Sequence, residues 1–254
     1  MASVSPLTDE RVAPFNAEHH AAPRASAGRV PNDANDRTPN APASEVCAAA
    51  LYRKLTGVSP EAAIIDIDED FDRHVLACVL ALAATEPAPL TSQTGLTEAE
   101  LESLISRTFV DSKFTAPPSS DRARAAGVDE DEIEIVRDLL AANRSTQGDC
   151  GLWLAAMVAR RALEPNHLWE DLGLRNRTEL TRLLERHFGP LAIRNDKNMR
   201  WKRFIYRVMC EADGFVMCST PVCTNCADYN QCFGEEAGLS RVAGDGVSKE
   251  TMRD

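Results

Sequence analysis

The chain has 254 residues, 44% of them hydrophobic and 26% charged, which suits one ordinary globular domain with room left for tails. Its 28 basic and 39 acidic residues leave a formal charge of −11, so the protein as a whole is repelled by nucleic acid and by anionic membranes unless a local basic patch intervenes. No stretch reaches the roughly 18 apolar residues of a membrane-spanning helix, and residues 1–10 lack the basic start and apolar core of a signal peptide. A cytoplasmic chain without membrane contact is expected. There the eight cysteines stay reduced, and a clustered set points to a metal site rather than to disulfides.

In chain order, residues 1–44 hold six of the 14 prolines and one aromatic, Phe15, with no apolar period, and a disordered tail over 1–43 is expected. The His19 and His20 pair in it reads as incidental. From Ser44 onward apolar residues recur at helical spacing and no period-two run appears, which predicts an all-α fold, a multi-helix globular domain over 44–214. Candidate helices cover 44–56, 69–85, 97–109, 129–144, 151–163, 177–188 and 198–212. Thr97 and Glu100 form a capping-box pair ahead of Leu101, Leu104, Ile105 and Phe109. Two connectors, 86–96 and 111–127, carry Pro87, Pro89, Pro117 and Pro118 and are expected to be non-helical. The acidic runs 66–72 and 129–138 read as solvated helix starts favoured by the macrodipole. Cys47, Cys78 and Cys150 lack partners nearby in sequence and read as inert; Trp153, Met157 and Trp169 read as core.

The most informative segment is 215–234, a cysteine-rich loop expected to bind metal, followed by a flexible tail over 235–254. Cys218, Cys223, Cys226 and Cys232 are four of the eight thiols within 15 residues. Their neighbours are Ser, Thr, Pro, Asn, Asp and Gln, which build turns rather than a core. Zinc ribbons pair two Cys-x-x-Cys knuckles about 12–20 residues apart, whereas this quartet has one knuckle with two close flanking cysteines. Its first three intervals, Cys-x4-Cys-x2-Cys, are those of a plant-type ferredoxin loop, though Cys232 lies much nearer than a ferredoxin's fourth cysteine. Spacing alone favours an iron-sulfur or mixed-metal cluster and leaves zinc open.

Ahead of the quartet, Trp201, Phe204, Ile205, Val208 and Met209 fall on one helix face, and Arg200, Lys202, Arg203 and Arg207 on the other. From Arg175 to Arg207 ten basic residues face three acids. This local excess could attract an oxyanion such as molybdate, dock an acidic partner or nucleic acid, or simply keep the helix solvated. Cys210 and His187 are possible reserve ligands; most histidines placed like His187 are packing groups.

Trp169-Glu-Asp-Leu-Gly-Leu174, Arg186-His187-Phe188, Asn198-Met-Arg-Trp-Lys-Arg-Phe204, Cys210-Glu211 and the quartet ending Cys232-Phe-Gly234 together resemble the NifQ family, from about Gly151 to Gly234. Gly189, between Phe188 and Pro190, departs from the run of Phe directly into Pro expected of that family. The resemblance implies a nitrogen-fixation accessory protein, a carrier rather than an enzyme. It would hold molybdenum in an iron-sulfur cluster on Cys218, Cys223, Cys226 and Cys232 and supply it for the nitrogenase iron-molybdenum cofactor. Its implied partners are the cofactor assembly scaffold and the nitrogenase iron protein. The competing class is a zinc- or cluster-stabilised basic helical module that binds nucleic acid or an acidic protein.

Overall fold

The computed structural model describes residues 47–112, 114, 129–212, 214 and 223–243. The described residues form eleven α-helices and one 3-10 turn, with no strand among them. The helices are α1 Ala48–Thr56, α2 Asp68–Ala83, α3 Leu90–Thr94, α4 Glu98–Thr108, α5 Glu130–Ala142, α6 Cys150–Ala162, α7 Leu168–Asp171, α8 Arg177–His187, α9 Gly189–Ala192, α10 Trp201–Ala212 and α11 Tyr229–Phe233. The fold is the all-α multi-helix domain that the apolar spacing predicts. No helix among the described residues is long and apolar enough to cross a membrane. Residues 1–46, and with them the whole of the expected N-terminal tail, lie outside the described part.

Two helices make the centre. From His74 to Ala83 every residue of α2 is buried, and α6 is buried from Trp153 to Ala162. A helix buried all round belongs inside a helical layer rather than on its surface, and the polar residues of these runs, His74, Arg160 and Arg161, bond Glu179, Gln93 and Glu86. Accordingly α1 and α3 pack against α2, while α3, α4, α5 and α7 pack against α6. Each fully buried Leu or Val here, such as Leu80, Leu154 and Val158, contributes about 1.5–3 kcal/mol by leaving water. Gly95 lets α3 approach α6, since a Cβ there would lie 2.9 Å from the Ala156 carbonyl oxygen.

Helix starts follow the local chemistry. Thr97 Oγ1 accepts from the Glu100 amide at 3.2 Å while Glu100 accepts from the Thr97 amide at 2.8 Å, closing the capping box. Asp129 and Asn176 cap α5 and α8 through the amides of Glu132 and Glu179.

Three expectations need correction. The 86–96 connector contains α3, because Pro89 stands just ahead of the helix, where its missing amide costs nothing. The helix expected from residue 198 begins at Trp201, since the Asn195 side chain bonds both the amide and the carbonyl of Met199, and Asn198 sits at φ 54°, closing a turn. Phe188 caps α8 close to its expected end, and Gly189 with Pro190 behind it opens α9, so the departure from the family's run falls at the junction of two helices. The expected flexible tail packs as far as residue 243: Val242 is fully buried, and Arg241 pairs with Asp171 and Glu86 at 3.3 Å. Residues 244–254 lie outside the described part.

Candidate metal centre

The cysteine segment is built on α10. Trp201, Phe204, Ile205 and Val208 are buried, with the Trp201 ring edge-on to Phe204 and its Nε1 donating to Thr181 Oγ1 at 3.2 Å. Arg177 at the start of α8 donates to the carbonyls of Asn198 and Met199 at 3.1 and 2.9 Å, fixing the entry to the helix. Arg200 just before α10 and Lys202, Arg203 and Arg207 on it each have a protein partner.

Arg200 reaches the cysteine segment three times. Its amide donates to the Cys232 carbonyl at 2.8 Å, Nε to the Gly234 carbonyl at 3.1 Å and Nη2 to the Glu235 carbonyl at 2.8 Å. Gly234 is required by space, because a Cβ would stand 2.4 Å from the Asn230 carbonyl oxygen and 2.9 Å from Arg200 Nη2. Arg203 Nη2 donates to Gln231 Oε1 at 3.2 Å. Lys202 instead faces inward, to Asp171 Oδ2 at 2.6 Å and to the Glu164 carbonyl. Burial lowers its amine pKa more than Asp171 raises it. Arg207 pairs with Glu211 at 2.7 Å. These residues are therefore a clamp and an internal ion pair before they are an oxyanion patch.

Within the segment, Cys223–Asn225 is a 3-10 turn, the Cys226 amide donates to the Cys223 carbonyl at 3.0 Å, and the Tyr229 amide to the Cys226 carbonyl at 3.1 Å. The turn leads into α11, where Asp228 accepts from the amide and side chain of Gln231 at 2.9 Å each. Cys223, Cys226 and Cys232 are free thiols, each partly buried, and Cys232 and Phe233 pack against the core. Three soft thiols on one short, hydrogen-bonded segment are a donor set suited to iron-sulfur or mixed-metal chemistry. Cys218, expected to complete the quartet, lies outside the described residues.

His187 and Cys210 are placed differently from the quartet. Cys210 is partly buried on α10. His187 is buried, its Nε2 bonding Asp72 Oδ1 at 2.9 Å and its Nδ1 bonding Thr146 Oγ1 at 2.8 Å. Arg186 grips the same carboxylate with two bonds of 2.8 Å. Burial raises the Asp72 carboxyl pKa, but the bonds from His187 and Arg186 outweigh it and hold the carboxyl below its ordinary range. Asp72, read from the sequence as part of a solvated helix start, is thus a partly buried anchor between α2 and α8. Cys150, read as inert, has Asp72 and His187 beside it. Burial, then the Asp72 charge, pushes its thiol up to about 12. The 78-residue and 37-residue separations of Cys150 from these partners left no local signal.

A family model described as NifQ matches residues 75–234. A protein described as a NifQ homolog from Sinorhizobium fredii is 39% identical over 183 residues, covering 69% of this chain and 77% of that protein. Protein NifQ of Rhodobacter capsulatus is 36% identical over 163 residues, 64% of this chain and 87% of its own. Protein NifQ of Azotobacter vinelandii is 46% identical over 106 residues, 42% and 54% of the two chains. No solved structure matches. The matched span runs from the central helix α2 through α10 and the clamped segment to Gly234, and the chain belongs to the NifQ family.

Proposed function

We propose that this protein is a molybdenum carrier of nitrogen fixation, not an enzyme. It holds molybdenum in an iron-sulfur cluster on Cys218, Cys223, Cys226 and Cys232 and supplies it in the cytoplasm for the nitrogenase iron-molybdenum cofactor. Membership of the NifQ family supports the pathway. The observation that carries the carrier role is the clamp: α10 holds a segment of three unpaired, partly buried thiols by Arg200 and Arg203. Thiolates so presented take soft metals, including sulfide-bridged iron and molybdenum. A surface segment held by a few hydrogen bonds, rather than a site enclosed in the core, lets a cargo leave. The receiving partners on this reading are the cofactor assembly scaffold and the nitrogenase iron protein.

Elemental analysis of protein purified without oxygen tests this. Iron together with molybdenum supports the carrier, and both should fall when the protein is mixed with the assembly scaffold. Stoichiometric zinc without iron would instead favour a zinc-stabilised binding module.

A further inference from the structure

Away from the cysteine segment, three side chains from three helices converge: Asp72 in the second turn of α2, Cys150 at the first residue of α6 and His187 at the last of α8. One donor atom of each, a carboxylate oxygen, a sulfur and an imidazole nitrogen, lies within 4.8 Å of the other two. We propose that these residues form a second metal site, for a single divalent ion of the zinc class, independent of the cysteine quartet.

The donor set is the mixture of thiolate, imidazole and carboxylate that suits zinc, and three protein ligands leave a fourth position for water or another small ligand. The surroundings are those of a held ligand set. Thr146 Oγ1 fixes His187 Nδ1 at 2.8 Å and so aims Nε2 at Asp72. The turn bearing Thr146 is itself stapled to the end of α8: the Ser145 amide donates to the His187 carbonyl at 2.8 Å, and Ser145 Oγ accepts from the Gly189 amide at 2.8 Å. Arg186 Nη2 takes Asp72 Oδ2, while Nε takes one lone pair of Oδ1 and leaves the second for His187 or an ion.

Without metal, the Asp72 carboxylate can only accept, so in the neutral ring Nε2–H donates to it and Nδ1 accepts from the Thr146 hydroxyl. With an ion on Nε2 the imidazole takes its other tautomer, Nδ1–H donates to the Thr146 hydroxyl, and the ring stays neutral. Cys150 gives up its thiol proton to become the sulfur ligand, so one proton leaves for each ion bound. The Arg186 guanidinium is the opposing feature. It neutralises part of the ligand charge, so binding rests on the thiolate and imidazole, donors that favour zinc over magnesium or calcium.

The test uses full-length protein with Cys218, Cys223, Cys226 and Cys232 all changed to Ser, titrated with cobalt(II) under reducing, oxygen-free conditions. A saturable near-ultraviolet thiolate-to-cobalt band at about one equivalent is expected. Cys150→Ser in that background should abolish it, and Thr146→Val should weaken cobalt binding about 10-fold or more. Absence of the band, or a band that survives Cys150→Ser, overturns the site. Should the fourfold variant lose its helical circular dichroism, the intact chain decides. Cys150→Ser should then lower the zinc bound at saturation by about one equivalent, and unchanged zinc overturns the proposal. Because the first arm lacks the quartet, its failure leaves the carrier reading untouched.

Discussion

The amide of Arg200 donates to the carbonyl of Cys232 at 2.8 Å, so the last cysteine of the quartet is tied by backbone to the residue just before α10. The guanidinium of Arg200 then continues along the chain to Gly234 and Glu235. A basic side chain that could have served a solvated face is in this way a clamp on the backbone of the cysteine segment.

Arg200→Ala keeps the backbone bond to Cys232 and removes the two guanidinium bonds. Charge-assisted bonds of this kind contribute about 1.5–3 kcal/mol each when buried and less here, where the side chain is partly exposed. Iron loss to a chelator should therefore quicken by about 5- to 10-fold, or about 1–1.4 kcal/mol, with helical circular dichroism unchanged. Release kinetics equal to those of the unaltered protein would show that the clamp does not hold the cluster segment.

Charge reversal separates two neighbours that look alike in sequence. Lys202 faces Asp171, whose side chain is fully buried, whereas Arg203 donates to the exposed Gln231. Lys202→Glu sets two carboxylates together inside the protein and should cost about 3–5 kcal/mol in urea unfolding. Arg203→Glu should cost less than about 1 kcal/mol. Equal effects of the two changes on the urea midpoint would contradict this assignment of inner and outer basic residues.

Acid should weaken the tie between α2 and α8 through Glu179. Burial raises its carboxyl pKa, but bonds from His74 and from the amide and side chain of Arg175 outweigh it, and the folded value lies below the unfolded one. A lowered carboxylate contributes its full stabilisation above the unfolded value, about 4.3. That contribution is lost as the pH falls through the folded value. Urea midpoints between pH 6 and pH 3 should fall more steeply for the unaltered protein than for Glu179→Gln. Parallel curves would remove Glu179 from the account of acid sensitivity.

Much of this architecture is legible in the sequence wherever the signal is local and periodic. The seven long helices lie within a few residues of their apolar patterns, and Thr97 with Glu100 announces its capping box. The short helices α3, α7, α9 and α11 have too few residues for a period to show, and tertiary packing rather than propensity places them. Long-range ties leave no spacing at all. Asp72 and His187 stand 115 residues apart, and Val242 enters the core from a segment whose composition resembles a tail. The cysteine spacing marked the quartet, but only the structure shows that Arg200, Arg203 and Gly234 hold part of it in place.

On the proposed function the quartet carries a molybdenum-containing cluster, and a helical body of this size, with its core on α2 and α6, has enough apolar surface to fold without a metal staple. The most direct measurement is the iron and molybdenum content of the Cys223→Ser and Cys226→Ser variants, purified without oxygen beside the unaltered protein, with helical circular dichroism recorded on the same samples. Replacing a soft thiolate by a poorly ionised hydroxyl should remove or labilise the cluster. Both metals and the visible cluster absorption should be lost with the helical signal kept. Full iron and molybdenum content in these variants would contradict it.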